Sequence, residues 1–445
     1  MLNNISRRSL FLVLSDAAAI LVAYYLASFA WTGGRWEPYD RWPSLVFFTV
    51  NLLTFFYIFD LYYPFKRFKG LNTVIDVFLA LLFGTLVFGL ICFLTHRFIL
   101  PRGLFIHFVG QIFAYAVAIR LLYNSIFKSR FLDKRTGILG VGSMAREVGD
   151  LIATTPNSGM EVVGYIAEEK DIEKQKIKGK EMLGHVGQIV SLLDWHNIRL
   201  LVLACDEKSK TSEFEIMRNL VGRNIQVISA IRLFENLSHS IPYKAIDARY
   251  VLSLESDVRG RHFLHLKRLL DVVFSALLLL LTLPLSLLAI FLLSFQGLDR
   301  IFFVQRRIGK GGKMFSMYKF RSMSVSERRG PSVTSLGKIL RKFRIDELPQ
   351  LLNVLKGDMS LIGPRPETVP LAKKSQRHIP YYDIVFTVRP GISGWAQVNL
   401  GHVADFKDYP KKFCFNVYYL KNISIELDLQ IFLKTIRIIL LGKGK

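Results

Sequence analysis

Apolar residues dominate four long stretches in the first third of the chain, roughly 10–31, 44–63, 74–96 and 105–127, separated by short polar intervals. Each approaches the about 20 residues that a helix needs to cross the hydrocarbon core of a bilayer, so the pattern predicts four spanning helices. Basic residues orient them: Arg7 and Arg8 precede the first, Lys66, Arg67 and Lys69 lie between the second and third, and Lys128, Arg130, Lys134 and Arg135 follow the fourth. Basic loops stay on the cytoplasmic side, which places both ends of this bundle there. Ser28 and Ala30 superficially resemble a cleavage site, but the apolar stretch before them is long for a signal peptide and three more follow; an uncleaved anchor is expected. Asp16 and Arg120 fall inside the first and fourth stretches at similar depth. An ion pair would reduce the cost of burying either charge, with snorkelling of Arg120 to the interface as the alternative.

Near residue 135 the period shortens. The run TGILGVGSMAREVGDLIA reads as a strand, a glycine turn and a helix, and VVGYIA and RLLVLAC read as further strands, giving a Rossmann-like α/β domain. Gly140, Gly142 and Ala145 form GxGxxA at the strand-to-helix turn, where small residues let backbone N–H groups approach a phosphate. Glu168 and Glu169 are only loosely placed for a ribose contact and the domain is short for a complete dinucleotide fold, which favours a degenerate scaffold or nucleotide sensing over NAD binding.

A fifth apolar stretch, Val272 to Phe295, carries no charge and has Pro284 at its centre. Lys267 and Arg268 precede it, and Arg300, Arg306, Arg307, Lys310 and Lys313 follow it, so both ends are expected in the cytoplasm. A re-entrant helix over 267–295, broken at Pro284, satisfies that distribution; a straight span is the alternative. Ser275, Thr282 and Ser286 could supply hydroxyls to backbone groups freed by the break. The C-terminal run ISIELDLQIFLKTIRIILLGKGK is apolar at helical spacing with interleaved Lys434, Arg437, Lys443 and Lys445, which suits either an interfacial helix or packing on the preceding domain. The expected domains are therefore four transmembrane helices over 1–130, an α/β domain over 131–255 and a membrane-associated domain over 262–445.

Composition agrees with a membrane protein: 51% of the 445 residues are hydrophobic and mean hydropathy is +0.31. The net charge of +24 suits anionic headgroups and anionic substrates. Nucleic acid is not expected as a partner, because the cations recur beside apolar segments and no zinc spacing or RNA-binding signature is present. Cys92, Cys205 and Cys414 are scattered and read as reduced thiols.

Candidate chemistry concentrates in RIDELPQLLNVLKGDMSLIGPRP, Arg344 to Pro366. A lone Asp-Glu pair usually means a solvated helix start. Here Asp346 and Glu347 sit among Arg341, Arg344 and Arg365, a set in which paired carboxylates hold a divalent cation, one attacks phosphorus, and arginines neutralise phosphate oxygens.

Together with KRLLD at 267–271, YKFRSM at 318–323 and RPGISGWAQV at 389–398, this run resembles the bacterial sugar transferase family, the monotopic polyprenyl-phosphate sugar-1-phosphate transferases. The four spans and the α/β domain are similar to the long form of that family. The resemblance implies transfer of a sugar 1-phosphate from a UDP-sugar to undecaprenyl phosphate, with release of UMP, at the start of exopolysaccharide, O-antigen or capsule assembly. It implies Mg²⁺, for which Mn²⁺ could substitute, and a covalent aspartyl-phosphosugar intermediate. Asp346 matches the nucleophile and Glu347 its partner carboxylate, both being assigned to metal binding as well. Arg341 and Arg365 match phosphate-binding positions, with Pro364 and Pro366 fixing the backbone around Arg365. Lys319 and Arg321 match a motif that meets substrate or headgroups. Where the family often carries Ser-Pro at the helix break, this chain has Thr282, Leu283 and Pro284, which bears on the bend and not on the chemistry. The implied location is the bacterial inner membrane with the active site at the cytoplasmic face and lipids around it; a homodimer through the spans or the α/β domain is plausible. Two rivals remain in view, a membrane-anchored nucleotide-sugar dehydratase, which would need a Tyr-x-x-x-Lys pair, and a non-enzymatic nucleotide-sensing scaffold. No residue set reads the stereochemistry of the sugar.

Overall fold

The computed structural model describes residues 7–32, 42–62, 68, 70–95, 102–126, 134–155, 158–167, 176–177, 180–204, 218, 220, 222–256, 261–295, 301–326, 330–401, 403 and 405–440. Glu168, Glu169, Cys205, the loop cations Lys66, Arg67, Lys69, Lys128, Arg130 and Arg300, and the terminal Lys443 and Lys445 lie outside the described residues. The chain divides into two compact units, 1–238 and 239–445.

The first unit begins with four apolar helices, α1 (Arg7–Thr32), α2 (Trp42–Ile58), α3 (Gly70–Thr95) and α4 (Arg102–Ile126). Of these, α1, α3 and α4 are long and apolar enough to cross a membrane; α2 has 17 residues and is shorter than the stretch 44–63 that the sequence predicts. It ends early because the chain turns at Asp60, whose φ is +58°, and because the Tyr62 hydroxyl is drawn 2.8 Å onto the Asp16 carboxylate. These helices pack through Phe48, Phe88, Phe105 and Phe108, whose ring centroids lie 5.0–6.1 Å apart. Lipid is as apolar as a leucine side chain, so polar contacts add cohesion that burial alone cannot. The Asn51 amide donates to the Gly84 carbonyl at 2.8 Å. Arg120 and Asp16 form the expected pair as a two-point contact of 2.6 and 3.0 Å, with both side chains buried and Phe56 4.9 Å beneath the guanidinium.

The rest of this unit is a six-stranded sheet of β1 (Lys134–Leu139), β2 (Met160–Ala167), β3 (Lys176–Ile177), β4 (Lys180–His185), β5 (Leu200–Leu203) and β6 (Gln226–Ser229), in the order β3-β4-β2-β1-β5-β6. All pairs are parallel except β3 with β4. Both faces are covered, as adjacent residues of a strand point to opposite sides. Ile138 packs in a core with α5 (Ser143–Thr154) and the helix Ala230–Ser238, whereas Leu139 packs in a core with α6 (Ile189–Trp195). At the glycine turn Gly140 takes φ +111° and Ala145 is fully buried.

In the second unit a helix of 34 residues, Arg261–Ser294, runs without interruption through Pro284. Pro284 removes the donor for the Leu280 carbonyl. Two of the three hydroxyls expected to compensate act elsewhere: Thr282 donates to the Leu278 carbonyl at 2.7 Å and Ser275 to that of Val272 at 3.1 Å. Both ends of this helix are fastened to one domain. Near its start, Arg268 donates to the Val354 and Leu355 carbonyls, Asp271 accepts from Ser360 Oγ and the Leu361 N–H, and Lys267 pairs with Asp428. Near its end, Ala289 and Leu293 pack with Phe320, Leu340 and Ile345. Between them Leu280, Leu281, Leu287 and Leu288 are exposed.

That domain contains two hairpins, β7 (Phe302–Ile308) with β8 (Met314–Phe320) and β9 (Met323–Ser326) with β10 (Gly330–Val333), and a short parallel pair, β11 (Ser360–Ile362) with β12 (Gly391–Ser393). Helices Ser335–Lys342, Gln350–Lys356, Val369–His378, Trp395–Leu400, Tyr409–Lys421 and Ile425–Leu440 surround them. The last packs on the domain through buried Leu427, Ile431 and Leu433, while Ile425 and Leu429 face outward.

Candidate active site

The carboxylates rise from a single tight turn. Helix Ser335–Lys342 is capped by the Thr334 hydroxyl, which accepts the Gly337 N–H at 2.9 Å, and it runs out at Phe343. Arg344 then takes a left-handed backbone, φ +55° and ψ +23°. That conformation costs a non-glycine residue roughly 1–2 kcal/mol. It redirects the chain into the 3₁₀ turn Ile345–Glu347; Leu348 and Pro349 remain right-handed, so 345–356 is one continuous helical run. Successive positions of a 3₁₀ turn point about 120° apart. Adjacent acids on such a turn therefore meet different surroundings.

Glu347 is enclosed by cations. Its Oε1 accepts from Lys319 Nζ at 2.9 Å and from an Arg365 guanidinium nitrogen at 3.0 Å, and its Oε2 lies 3.4 Å from Arg344. Burial alone would raise its pKa, but Arg365, Lys319 and Arg344 outweigh that and hold the carboxyl well below the usual range. The partners respond in turn. Burial pushes the Lys319 ammonium pKa down against the pull of Glu347, and Glu347 holds that of Arg365 up.

Asp346 is only 7% exposed and has no hydrogen bond or ion pair among the described residues. Burial, then repulsion from Glu347, pushes its pKa up to about 6 from 3.8, with Lys319, Arg341 and Arg365 pulling the other way. It remains mostly ionised at neutral pH.

The remaining parts hold this arrangement in place. Lys319 stands on β8, which is locked to the helical run by Asn353: its Oδ1 accepts the Tyr318 N–H at 3.0 Å and its Nδ2 donates to the Ser316 carbonyl at 2.8 Å. Arg365 projects from the loop after β11, where Gly363 and Gly391 bring two backbones together. A Cβ on Gly391 would lie 2.1 Å from the Gly363 nitrogen, which explains both glycines without any ligand. Beyond the loop, Arg307 donates to the Pro366 carbonyl at 2.9 Å, and Lys412 pairs with buried Glu367.

The structure thus brings Asp346, Glu347, Lys319 and Arg365 together. Arg341 reaches Asp346 through its charge. Arg321 is half-buried, and among the described residues its side chain makes no hydrogen bond or ion pair with either carboxylate. Sequence reasoning missed Asn353, whose signal is a polar residue on the apolar face of LNVL, and the Glu367–Lys412 pair, which are 45 positions apart and leave no local pattern. Among the described residues no group of three or more His, Cys, Asp or Glu side chains is placed to hold a metal.

Two family models match the chain: bacterial sugar transferase over residues 262–442, and CoA-binding domain over 58–227. Over 442 residues, 94% of this chain and 90% of the relative, it is 26% identical to a UDP-glucose:undecaprenyl-phosphate glucose-1-phosphate transferase of Xanthomonas campestris pv. campestris. Over 188 residues it is 47% identical to a UDP-N-acetylgalactosamine-undecaprenyl-phosphate N-acetylgalactosaminephosphotransferase of Aeromonas hydrophila, a match that spans 40% of this chain and 44% of that protein. An uncharacterized sugar transferase of Bacillus subtilis (strain 168), EpsL, is 41% identical over 192 residues, which cover 40% of this chain and 89% of the relative. Similarity over nearly the whole length of that compact relative, and over nearly the whole of this chain in the Xanthomonas protein, leads to one conclusion: the chain belongs to the bacterial sugar transferase family, in the long form found among polyprenyl-phosphate sugar-1-phosphate transferases.

Proposed function

We propose that the protein transfers a sugar 1-phosphate from a UDP-sugar to undecaprenyl phosphate, releasing UMP, with Asp346 as the nucleophile. The observation that carries this reading is the contrast between two adjacent acids: Glu347 is neutralised by three cations, while Asp346 is buried, ionised and uncommitted. In the first step an Asp346 oxygen attacks the sugar-bearing phosphorus, the aspartyl O–P bond forms, and the bond to the UMP oxygen breaks. In the second, an oxygen of undecaprenyl phosphate attacks the same phosphorus, the aspartyl bond breaks, and the carboxylate is regenerated. Arg365 and Arg341 neutralise charge on the diphosphate, and Lys319 fixes Glu347.

Magnesium commonly binds through one or two carboxylates plus substrate phosphates, and that donor set fits this site. Asp346 has free oxygens and Glu347 shares its own with cations, so the two would hold Mg²⁺ or Mn²⁺ mainly through Asp346. When bound, the ion screens the diphosphate charge from the approaching carboxylate.

The two fastened ends and exposed middle of the helix Arg261–Ser294 support a re-entrant course, with the site at the cytoplasmic face of the inner membrane; the α/β domain expected over 131–255 ends earlier, since Ile241, Ile246 and Tyr250 pack in the second unit. Family membership favours the transferase over a dehydratase or a sensing scaffold. The test is UMP release from UDP-glucose, UDP-galactose and UDP-N-acetylgalactosamine by the purified full-length protein with undecaprenyl phosphate and Mg²⁺. Release that needs the lipid acceptor for turnover and disappears in Asp346→Asn is expected; no release with any donor refutes the reading.

A further inference from the structure

Two buried donors beside the carboxylates have no hydrogen-bond partner among the described residues, Arg344 Nε and Gln350 Nε2. Gln350 is 2% exposed, and among the described residues its Nε2 is buried with no hydrogen-bond partner. A buried amide N–H left unpaired is costly, and such groups are rare. Its place in the chain is informative. Because residues 345–356 form one right-handed helical run, Gln350 stands three positions after Glu347 and four after Asp346, about one turn from both. Cβ atoms so spaced lie about 5–6 Å apart. Side chains on a helix lean toward its N-terminus, which carries the Gln350 amide toward the acids.

Nearby hydrogen-bonding capacity is already divided. Lys319, Arg344 and Arg365 are directed at Glu347, and Asn353, one turn further along, is bonded to β8. Among the described residues Gln350 Nε2 and Arg344 Nε keep unused buried donors, and of the two side chains only that of Arg344 is already engaged with Glu347, leaving the Gln350 amide about one turn from the uncommitted carboxylate. A phosphoryl group at Asp346 would bring non-bridging oxygens, which are strong acceptors, into this space.

We propose that Gln350 donates its side-chain N–H to a non-bridging oxygen of the phosphoryl group that Asp346 attacks, and so is a substrate contact of the site. The inference rests on the transferase reading. It adds a neutral donor to the surrounding cations, one that orients the phosphorus without adding charge.

The test uses the full-length protein in detergent, with a UDP-sugar that the wild type turns over, and compares Gln350→Leu and Gln350→Glu. Leucine has similar volume and no donor; glutamate sets an anion against the phosphate. Expected for Gln350→Leu is a loss of tenfold or more in kcat/KM, with Tm unchanged or higher and the acid limb of the pH profile in place. Gln350→Glu should be weaker still. Activity of Gln350→Leu within twofold of wild type overturns the proposal, as does a loss that only follows a fall in Tm. A displaced acid limb would also overturn it, by assigning the amide to the Asp346 carboxylate. Wild type inactive with every donor overturns the transferase reading and this proposal with it, whereas an active wild type with an equally active Gln350→Leu overturns the proposal alone.

Discussion

Replacing Asp346 by Asn should stabilise the protein while abolishing transfer, and the stabilisation should depend on pH. The carboxyl titrates near 3.8 when free and is pushed up to about 6 in the fold, chiefly by burial and then by Glu347. At 1.36 kcal/mol per tenfold in proton affinity, keeping this group ionised at neutral pH costs ~3 kcal/mol of folding free energy. The folded protein binds the proton more tightly than the unfolded chain does. Wild-type stability therefore falls as pH rises from about 4 to about 6, and the full cost is present above that. Asparagine has no proton to lose. The variant should match wild type near pH 4 and exceed it by up to ~3 kcal/mol at pH 8, which for a unit of this size corresponds to roughly 6–12 °C in Tm. Thermal unfolding of the detergent-solubilised protein across pH 4–8 measures the difference, and a UMP-release assay on the same samples measures activity. A variant less stable than wild type at pH 8, or one whose advantage persists unchanged at pH 4, would refute the electrostatic reasoning; near-normal turnover would refute the nucleophile.

Glu347→Gln should act in the opposite direction, leaving Lys319, Arg344 and Arg365 around a neutral group; a loss of ~3–5 kcal/mol, or roughly 10 °C in Tm, is expected at neutral pH. Because the fold holds this carboxyl low, the deficit should persist down to the ordinary glutamate range and shrink only on further acidification, which pH-dependent melting measures. Gly391→Ala places a Cβ 2.1 Å from backbone that cannot yield, so the β11–β12 pair should part and activity fall with Tm, whereas Gly401→Ala, with open space but φ +71°, should cost only backbone strain of about 1–2 kcal/mol. Single cysteines at His265 and Lys313, both exposed, in a background lacking the three native cysteines, should be labelled by an impermeant thiol reagent from the same membrane side; opposite sides would refute the re-entrant course.

The sequence displays the apolar helices because their signal is composition over about 20 residues, which no tertiary contact can disguise. The buried Asp16–Arg120 pair was legible for a related reason: two isolated opposite charges in apolar stretches have few alternatives. The end of α2 was not, since it depends on Tyr62 reaching Asp16 from 46 positions away. At the site, Asp346, Glu347 and Arg365 stand in a run of unusual composition, and Lys319 in a second motif. What the sequence conceals is their division of labour. Arg344 reads as one more phosphate arginine, and its left-handed backbone and contact with Glu347 emerge only when helix Ser335–Lys342 meets the 3₁₀ turn.

That division follows from the turn itself. Asp346 and Glu347 share a protonation chemistry and almost a position, yet one titrates near 6 and the other far below the usual range. Pairs of acids whose surroundings drive them apart in this way take separate roles. The rotation of about 120° between neighbouring 3₁₀ positions accounts for the separation. It turns Glu347 toward β8 and the loop of Arg365, both fixed by close backbone contacts, and leaves Asp346 on a face with no cation bonded to it among the described residues. In the proposed reaction the cations attract an anionic substrate to the site without being bonded to Asp346, because their direct contacts are made by Glu347. A carboxylate in that setting keeps its charge, its burial and a free lone pair together, which is what attack on a phosphate diester demands.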